Sequence, residues 1–162
     1  MLVVAPAEPT DVHDLADLME ELDRFYGVTG FAPVDEREDQ IRRALFGSRP
    51  AAYALLARDG NELAGMAAYS FLWPAAGVTM SLFLKELYVR QHRQRAGVGR
   101  RLLQALCEVA VAEGCSRVEW QTDHDNLPAQ AFYRALGVSM SPGKMFYRLS
   151  GEALDRMVAT TD

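Results

Sequence analysis

The stretch Gln94-Arg95-Ala96-Gly97-Val98-Gly99-Arg100 constrains this chain more than any other. It follows Met80–Val89, which reads as a strand, and opens a helix expected from about Val98 to Glu113, with Gly114 as its left-handed terminator. At a helix start the first backbone N–H groups have no intrahelical partner, and the positive end of the macrodipole stands behind them. A diphosphate can accept several such donors at once. Gly97 and Gly99 remove side chains that would keep phosphate oxygens off the backbone, and Arg95 and Arg100 add positive charge there. A triphosphate-binding loop is excluded, because the Gly-Lys-Ser/Thr ending is missing. The dinucleotide fingerprint is excluded too, since it needs three glycines and a later acidic residue. Taken alone, the segment also admits a plainer reading, a glycine-bearing strand-to-helix turn with no ligand.

The rest of the chain supplies a frame for that turn. Leu2–Ala5 reads as a short strand. Thr10 is placed to cap a helix to about Phe25, in which Val12, Leu15, Ala16, Leu18, Met19 and Leu22 recur at helical spacing. Asp35 and Glu38 have the spacing of a capping box for a second helix to about Phe46. Ala51–Ala57 and Leu63–Phe71 read as strands joined at the Asp59-Gly60 turn. In Met80–Val89, strict alternation puts Leu82, Leu84, Glu86 and Tyr88 opposite Phe83, Lys85 and Leu87. Val118–Thr122 reads as a strand, Asn126 or Leu127 to Leu136 as a helix ended by Gly137, Lys144–Leu149 as a final strand, and Glu152–Val158 as an amphipathic tail. This order implies an α/β or α+β sheet with helices on both faces.

At 162 residues and 49% hydrophobic content, the chain suits one domain spanning 1–162. Residues 1–40 hold eleven Asp/Glu and two Arg, a net of −9; the other 122 hold eleven Asp/Glu and fifteen Lys/Arg, a net of +4. An acidic end and a basic centre fit a cationic substrate beside an anionic cofactor, though a solvated acidic helix face explains the former equally well. Overall acidity argues against a nucleic-acid partner. No apolar run is long enough to span a membrane, and Met1–Thr10 lacks the features of a secretory leader. Cys107 and Cys115 show no metal-ligand spacing; Cys107 falls within a helical pattern and is expected in packing. No metal is expected, and a cytoplasmic protein is the simplest reading.

The loop resembles the cofactor signature of the GNAT acetyltransferases, Gln/Arg-x-x-Gly-x-Gly/Ala. Leu84-Lys85-Glu86-Leu87-Tyr88-Val89 looks like that family's central strand, and Asn126-x-x-Ala129-x-x-Phe132-Tyr133, closed by Leu136-Gly137, looks like its later helix. Met145-Phe146-Tyr147-Arg148-Leu149 and the aromatic order in Tyr69–Trp73 are similar to the diamine and thialysine branch. The resemblance implies a mostly antiparallel, splayed sheet of about six to seven strands with about four flanking helices. It implies acetyl-CoA as cofactor, with the backbone of Leu87, Tyr88 and Val89 along the pantetheine arm. Backbone donors of the loop (Gln94, Arg95, Ala96, Gly97, Val98, Gly99 and Arg100) would hold the diphosphate. Asn126, Phe132 and Tyr133 would stand near the thioester. A homodimer is implied as well.

The activity this implies is acetyl transfer to a primary amine of a small molecule (a polyamine, a lysine-like compound, an amino acid or an antibiotic) by direct attack in a ternary complex. Acetylation of a protein or peptide, or a non-catalytic acetyl-CoA sensor, are the alternatives. Tyr133 stands where the family places its acid, and a phenol with a reference pKa near 10 can donate a proton; an ordinary core tyrosine is the other reading. Glu86, in an apolar strand where an idle carboxylate is costly, is the candidate base. It could instead be a structural partner of Lys85 or an arginine. Lys85 departs from the diamine branch, which has an acid there. Three histidines are candidate bases by type: His13 reads as exposed, His92 as facing solvent or phosphate, and His124 as a loop residue that stands as a minor alternative base. Glu21, Tyr26, Phe31, Tyr69 and Trp73 are candidates for an acceptor pocket, since carboxylates and aromatic faces attract ammonium groups. Core packing accounts for the aromatics equally well.

Overall fold

The computed structural model describes residues 1–159 and divides the chain into two compact units, the first Met1–Gln121 and the second from Thr122 onward. The first unit is built on five strands: β1 (Leu2–Pro6), β2 (Tyr53–Asp59), β3 (Glu62–Leu72), β4 (Ser81–Val89) and β5 (Arg117–Trp120). They lie side by side in chain order, the first three pairings antiparallel and β4–β5 parallel. The Asp59-Gly60 turn joins β2 to β3, with Gly60 at φ 60°. The helices of this unit are α1 (Val12–Phe25), α2 (Val34–Phe46) and α3 (Val98–Ala112).

Helical periodicity decides what each helix buries. On α1, Leu15, Leu18 and Leu22 meet Ala54, Leu56, Leu63, Met66 and Tyr88 of the sheet, with Ile41 and Leu45 of α2 packed against the cluster. On α3, Val98, Leu102, Leu103, Leu106 and Ala110 are buried as the helix packs across all five strands. Each such leucine contributes roughly 1.5–3 kcal/mol of apolar burial. Cys107, one residue past Leu106 and turned away from that stripe, is exposed rather than packed.

Two expected caps are replaced. Pro9, with its fixed φ, starts a 3-10 turn over Pro9–Asp11 before α1, and Glu8 and Asp11 form its capping box, leaving Thr10 inside the turn. α2 begins at Val34 behind Pro33, and Glu38 bonds His13 and Arg42 at 2.9 Å each instead of closing a box with Asp35.

Described by itself, the second unit holds α4 (Leu127–Ala135) and α5 (Glu152–Ala159). The strand expected at Lys144–Leu149 is not formed, so among the described residues the sheet has five strands rather than six or seven, and there are five α-helices. Alternating apolar residues are only half of a strand; the other half is an edge that pairs its N–H and C=O groups. Among the described residues no strand pairs this segment, and Met145, Phe146, Tyr147 and Leu149 are 79%, 62%, 81% and 51% exposed.

Candidate active site

Strand β4 shapes the site twice. Ala68 pairs with Glu86, yet the next residue of β3, Tyr69, pairs with Leu84. The skipped residue, Lys85, is therefore a β-bulge, and it is exposed. The bulge corrects the strict alternation expected from sequence. Leu84 shares a face with Tyr69, whereas Glu86 shares the opposite face with Tyr88 and Met66, the side that α1 covers.

Second, β5 pairs with β4 only from Ser81↔Arg117 to Leu84↔Trp120. Beyond that point Lys85–Val89 has no strand neighbour on this side among the described residues. An extended chain of amides can add to such an edge by main-chain hydrogen bonds. Leu87 and Val89 are half-buried there. On the other side β3 approaches closely: a Cβ at Gly65 would meet the Tyr88 carbonyl oxygen at 2.6 Å, so only glycine lets the two backbones run this near.

The chain leaves β4 through a 3-10 turn, Gln91–Arg93, and enters the loop. Arg95 takes a left-handed φ of 62° and Gly97, the N-cap of α3, a φ of 81°. Gly97 caps α3 with no side-chain bond, and a Cβ there would meet nothing within 4 Å. The first α3-closing bond runs from Arg101 N–H to the Gly97 carbonyl at 3.1 Å. Among the described residues no backbone bond is donated by the six residues Arg95–Arg100. A run of unused donors at a helix start, flanked by Arg95 and Arg100, fits a diphosphate in chemistry and in space.

The approach to the loop is tied down. Glu21 of α1 accepts from the Tyr88 hydroxyl (3.1 Å), Arg90 Nη1 (2.6 Å) and the Gln91 N–H (3.1 Å). Burial alone would push the Glu21 carboxyl up; the Gln91 N–H, Arg90 and Tyr88 outweigh it and hold the group below the usual carboxylate range. Burial and the Glu21 bond push the Tyr88 phenol up to about 12, so it stays a donor. Arg93 bonds Asp59, His92 pairs with Glu62, and the Gln94 side-chain amide reaches the Val89 carbonyl at 3.3 Å. Sequence reasoning found Glu21 but not these partners, which lie 67–70 residues away in the chain.

The other acceptor candidates are dispersed. Tyr26 follows α1 and is half exposed, edge-on to Phe25 with ring centroids 5.3 Å apart. Phe31 lies beneath the Arg24 guanidinium, 4.6 Å from its centroid. Tyr69 is buried, stacked on Tyr53 at 5.6 Å and on the face opposite Glu86. Trp73 is exposed and donates its indole N–H to the Val78 carbonyl at 3.0 Å. Glu86 is half-buried.

In the second unit, the Asn126 side-chain oxygen caps α4 by accepting from Ala129 N–H at 3.2 Å. Gln130 ties the preceding turn by donating to the carbonyls of Asp123 and His124. The Phe132 and Tyr133 rings stand 5.2 Å apart near the end of α4. Gly137, at φ 78°, ends the turn after it. Among the described residues no group of three or more His, Cys, Asp or Glu could hold a metal ion, and no helix is long and apolar enough to cross a membrane.

An unpaired stretch of strand edge leads into a donor-rich glycine turn, and residues 15–138 match the acetyltransferase (GNAT) family. The chain belongs to that family and is an acetyl-CoA-dependent N-acetyltransferase. Among its relatives is the mouse (Mus musculus) thialysine N-epsilon-acetyltransferase, 24% identical over 93% of this chain and 94% of that protein. The fold matches the integron cassette protein VCH_CASS6 from the mobile metagenome of V. cholerae (TM-score 0.90, 23% identity, 98% of each chain covered). It also matches the aminoglycoside N-acetyltransferase AAC(6')-Iy solved in complex with CoA (TM-score 0.75, 18% identity, 92% and 95% covered).

Proposed function

We propose that this chain acetylates a primary amine of a small molecule, and that residues 1–162 act as one functional domain. The observation that carries the reading is the run of undonated amides from Arg95 to Arg100 beside the open edge of β4. Acetyl-CoA bound there supplies the activated acetyl thioester. The loop amides hold its diphosphate, with Gln94 bracing the turn through Val89. The backbone of Leu87, Tyr88 and Val89 orients the pantetheine arm, and N–H groups near Leu87 stabilise charge on the carbonyl oxygen.

Glu86 takes the proton from the ammonium substrate, directly or through water. Its support is its half-buried place on the α1 face. Tyr133 gives a proton to the sulfur, and Asn126 and Phe132 line its approach. The support for these three is the Asn126–Tyr133 motif on α4. Tyr26, Phe31, Tyr69 and Trp73 are proposed as acceptor contacts. The names of the mouse relative and of AAC(6')-Iy, which point to thialysine and aminoglycosides, support small amines as acceptors.

Free-thiol release with acetyl-CoA and a panel of diamines, lysine analogues, aminoglycosides and peptides tests this. Turnover is expected on at least one small amine and faster than on any peptide. Release on peptides alone, or tight acetyl-CoA binding with no release on any amine, overturns it.

We further propose a homodimer, supported by the exposed apolar residues Met145, Phe146, Tyr147 and Leu149. Sedimentation should report the mass of two chains, and deletion of the segment from Lys144 should return one. A wild-type monomer at working enzyme concentration rejects the proposal.

A further inference from the structure

Glu21 lies near the end of α1, yet its carboxylate accepts from three groups that all belong to the stretch that launches the cofactor loop. Its Oε1 accepts from the Tyr88 hydroxyl and the Gln91 N–H, and its Oε2 accepts from Arg90. Arg90 then fixes its own strand, donating Nε to the Leu63 carbonyl at 2.8 Å and its N–H to the Ala64 carbonyl at 2.9 Å. The Arg90 carbonyl accepts from Arg93 N–H, and the Gln91 carbonyl from Gln94 N–H, closing the 3-10 turn that delivers Arg95. One carboxylate thus sets the last residues of β4 and the first amide of the turn before the loop. We infer that Glu21 is a positioning residue for acetyl-CoA binding, acting through Arg90 and Gln91 on the loop amides, and not an acceptor-binding group. This rests on the reading that the loop holds the diphosphate.

Electrostatics gives the inference a sign. Glu21 carries a negative charge near an anion-binding loop, so by charge alone its removal would tighten cofactor binding. If its work is to hold the turn, removal must weaken binding instead. The interactions at stake are charge-assisted hydrogen bonds to a half-buried group, the kind whose loss is felt.

The test is acetyl-CoA affinity by calorimetry, with KM and kcat, for wild type, Glu21→Gln, Glu21→Ala, Gly99→Leu and Leu18→Ala. Leu18→Ala serves as a purely destabilising control in the α1 core. Glu21→Ala is expected to raise the Kd and KM for acetyl-CoA about tenfold, with kcat at saturating cofactor changed by less than about twofold and Glu21→Gln in between. Leu18→Ala is expected to lower Tm without moving Kd well below the melting point. Should Glu21→Ala fail to fold, Glu21→Gln is read the same way, because it keeps an acceptor for Gln91. An unchanged or tighter Kd in the Glu21 variants, while Gly99→Leu loses affinity, overturns the inference and leaves the loop assignment standing. If wild type and Gly99→Leu bind acetyl-CoA equally, the loop assignment fails and the inference with it.

Discussion

Gly99→Leu is expected to cost at least about tenfold in acetyl-CoA affinity, roughly 1.4 kcal/mol or more, while leaving the fold intact or slightly firmer. The two halves of that outcome have separate causes. Gly99 is the second residue of α3 and does not share the positive φ of Gly97, so leucine fits its backbone. In a helix glycine is about 0.8–1 kcal/mol less favourable than alanine, and leucine is close to alanine, so Tm should hold or rise. Binding is expected to fall because a four-carbon side chain is added within the first turn of α3, among the donors of Arg95–Arg100. Gly97 would be a poorer probe. At φ 81° any L-residue there is strained by roughly 1–2 kcal/mol, and lost binding could not be separated from a distorted turn. Calorimetry beside a thermal melt reads both halves; undiminished affinity in a folded Gly99→Leu protein rejects the loop as the diphosphate site.

That loop was legible because its chemistry is local. Glycines, arginines and a helix start within seven residues settle where unused donors will be, whatever the rest of the chain does. The helices α1 and α3 and the Asp59-Gly60 hairpin were legible for the same reason, since periodicity and turn preference act over a few residues. What could not be read depends on a partner elsewhere in the chain. The bulge at Lys85 exists only relative to the register of β3, and nothing in Leu84-Lys85-Glu86 announces it. Its consequence is large: it separates Leu84 from Glu86 and turns the candidate base toward the α1 side. Glu21 was singled out for its charge, but the job its carboxylate does was set by donors almost seventy residues on. Lys144–Leu149 has a strand's composition, but among the described residues no strand pairs with it. Pro9 and the His13–Glu38 pair diverted two capping signals that were sound as local patterns.

Tyr133→Phe should separate chemistry from binding. The substitution keeps the ring that packs 5.2 Å from Phe132 and removes only the hydroxyl. If that hydroxyl protonates the sulfur, kcat falls and the affinity for acetyl-CoA does not. The size of the fall can be argued. General acid catalysis is worth about 10²–10⁴ in rate, but a thiol with a pKa near 8.5 is a tolerable leaving group even unprotonated at neutral pH. The loss should therefore sit at the low end, about 10², or roughly 2.7 kcal/mol of transition-state stabilisation. The Kd for acetyl-CoA should stay within about twofold, since an interaction made only in the transition state contributes nothing to ground-state binding. Steady-state kinetics and calorimetry on the same preparation decide it. Equal losses in kcat and affinity would make Tyr133 a binding residue, and no loss in either would return it to the core of its helix.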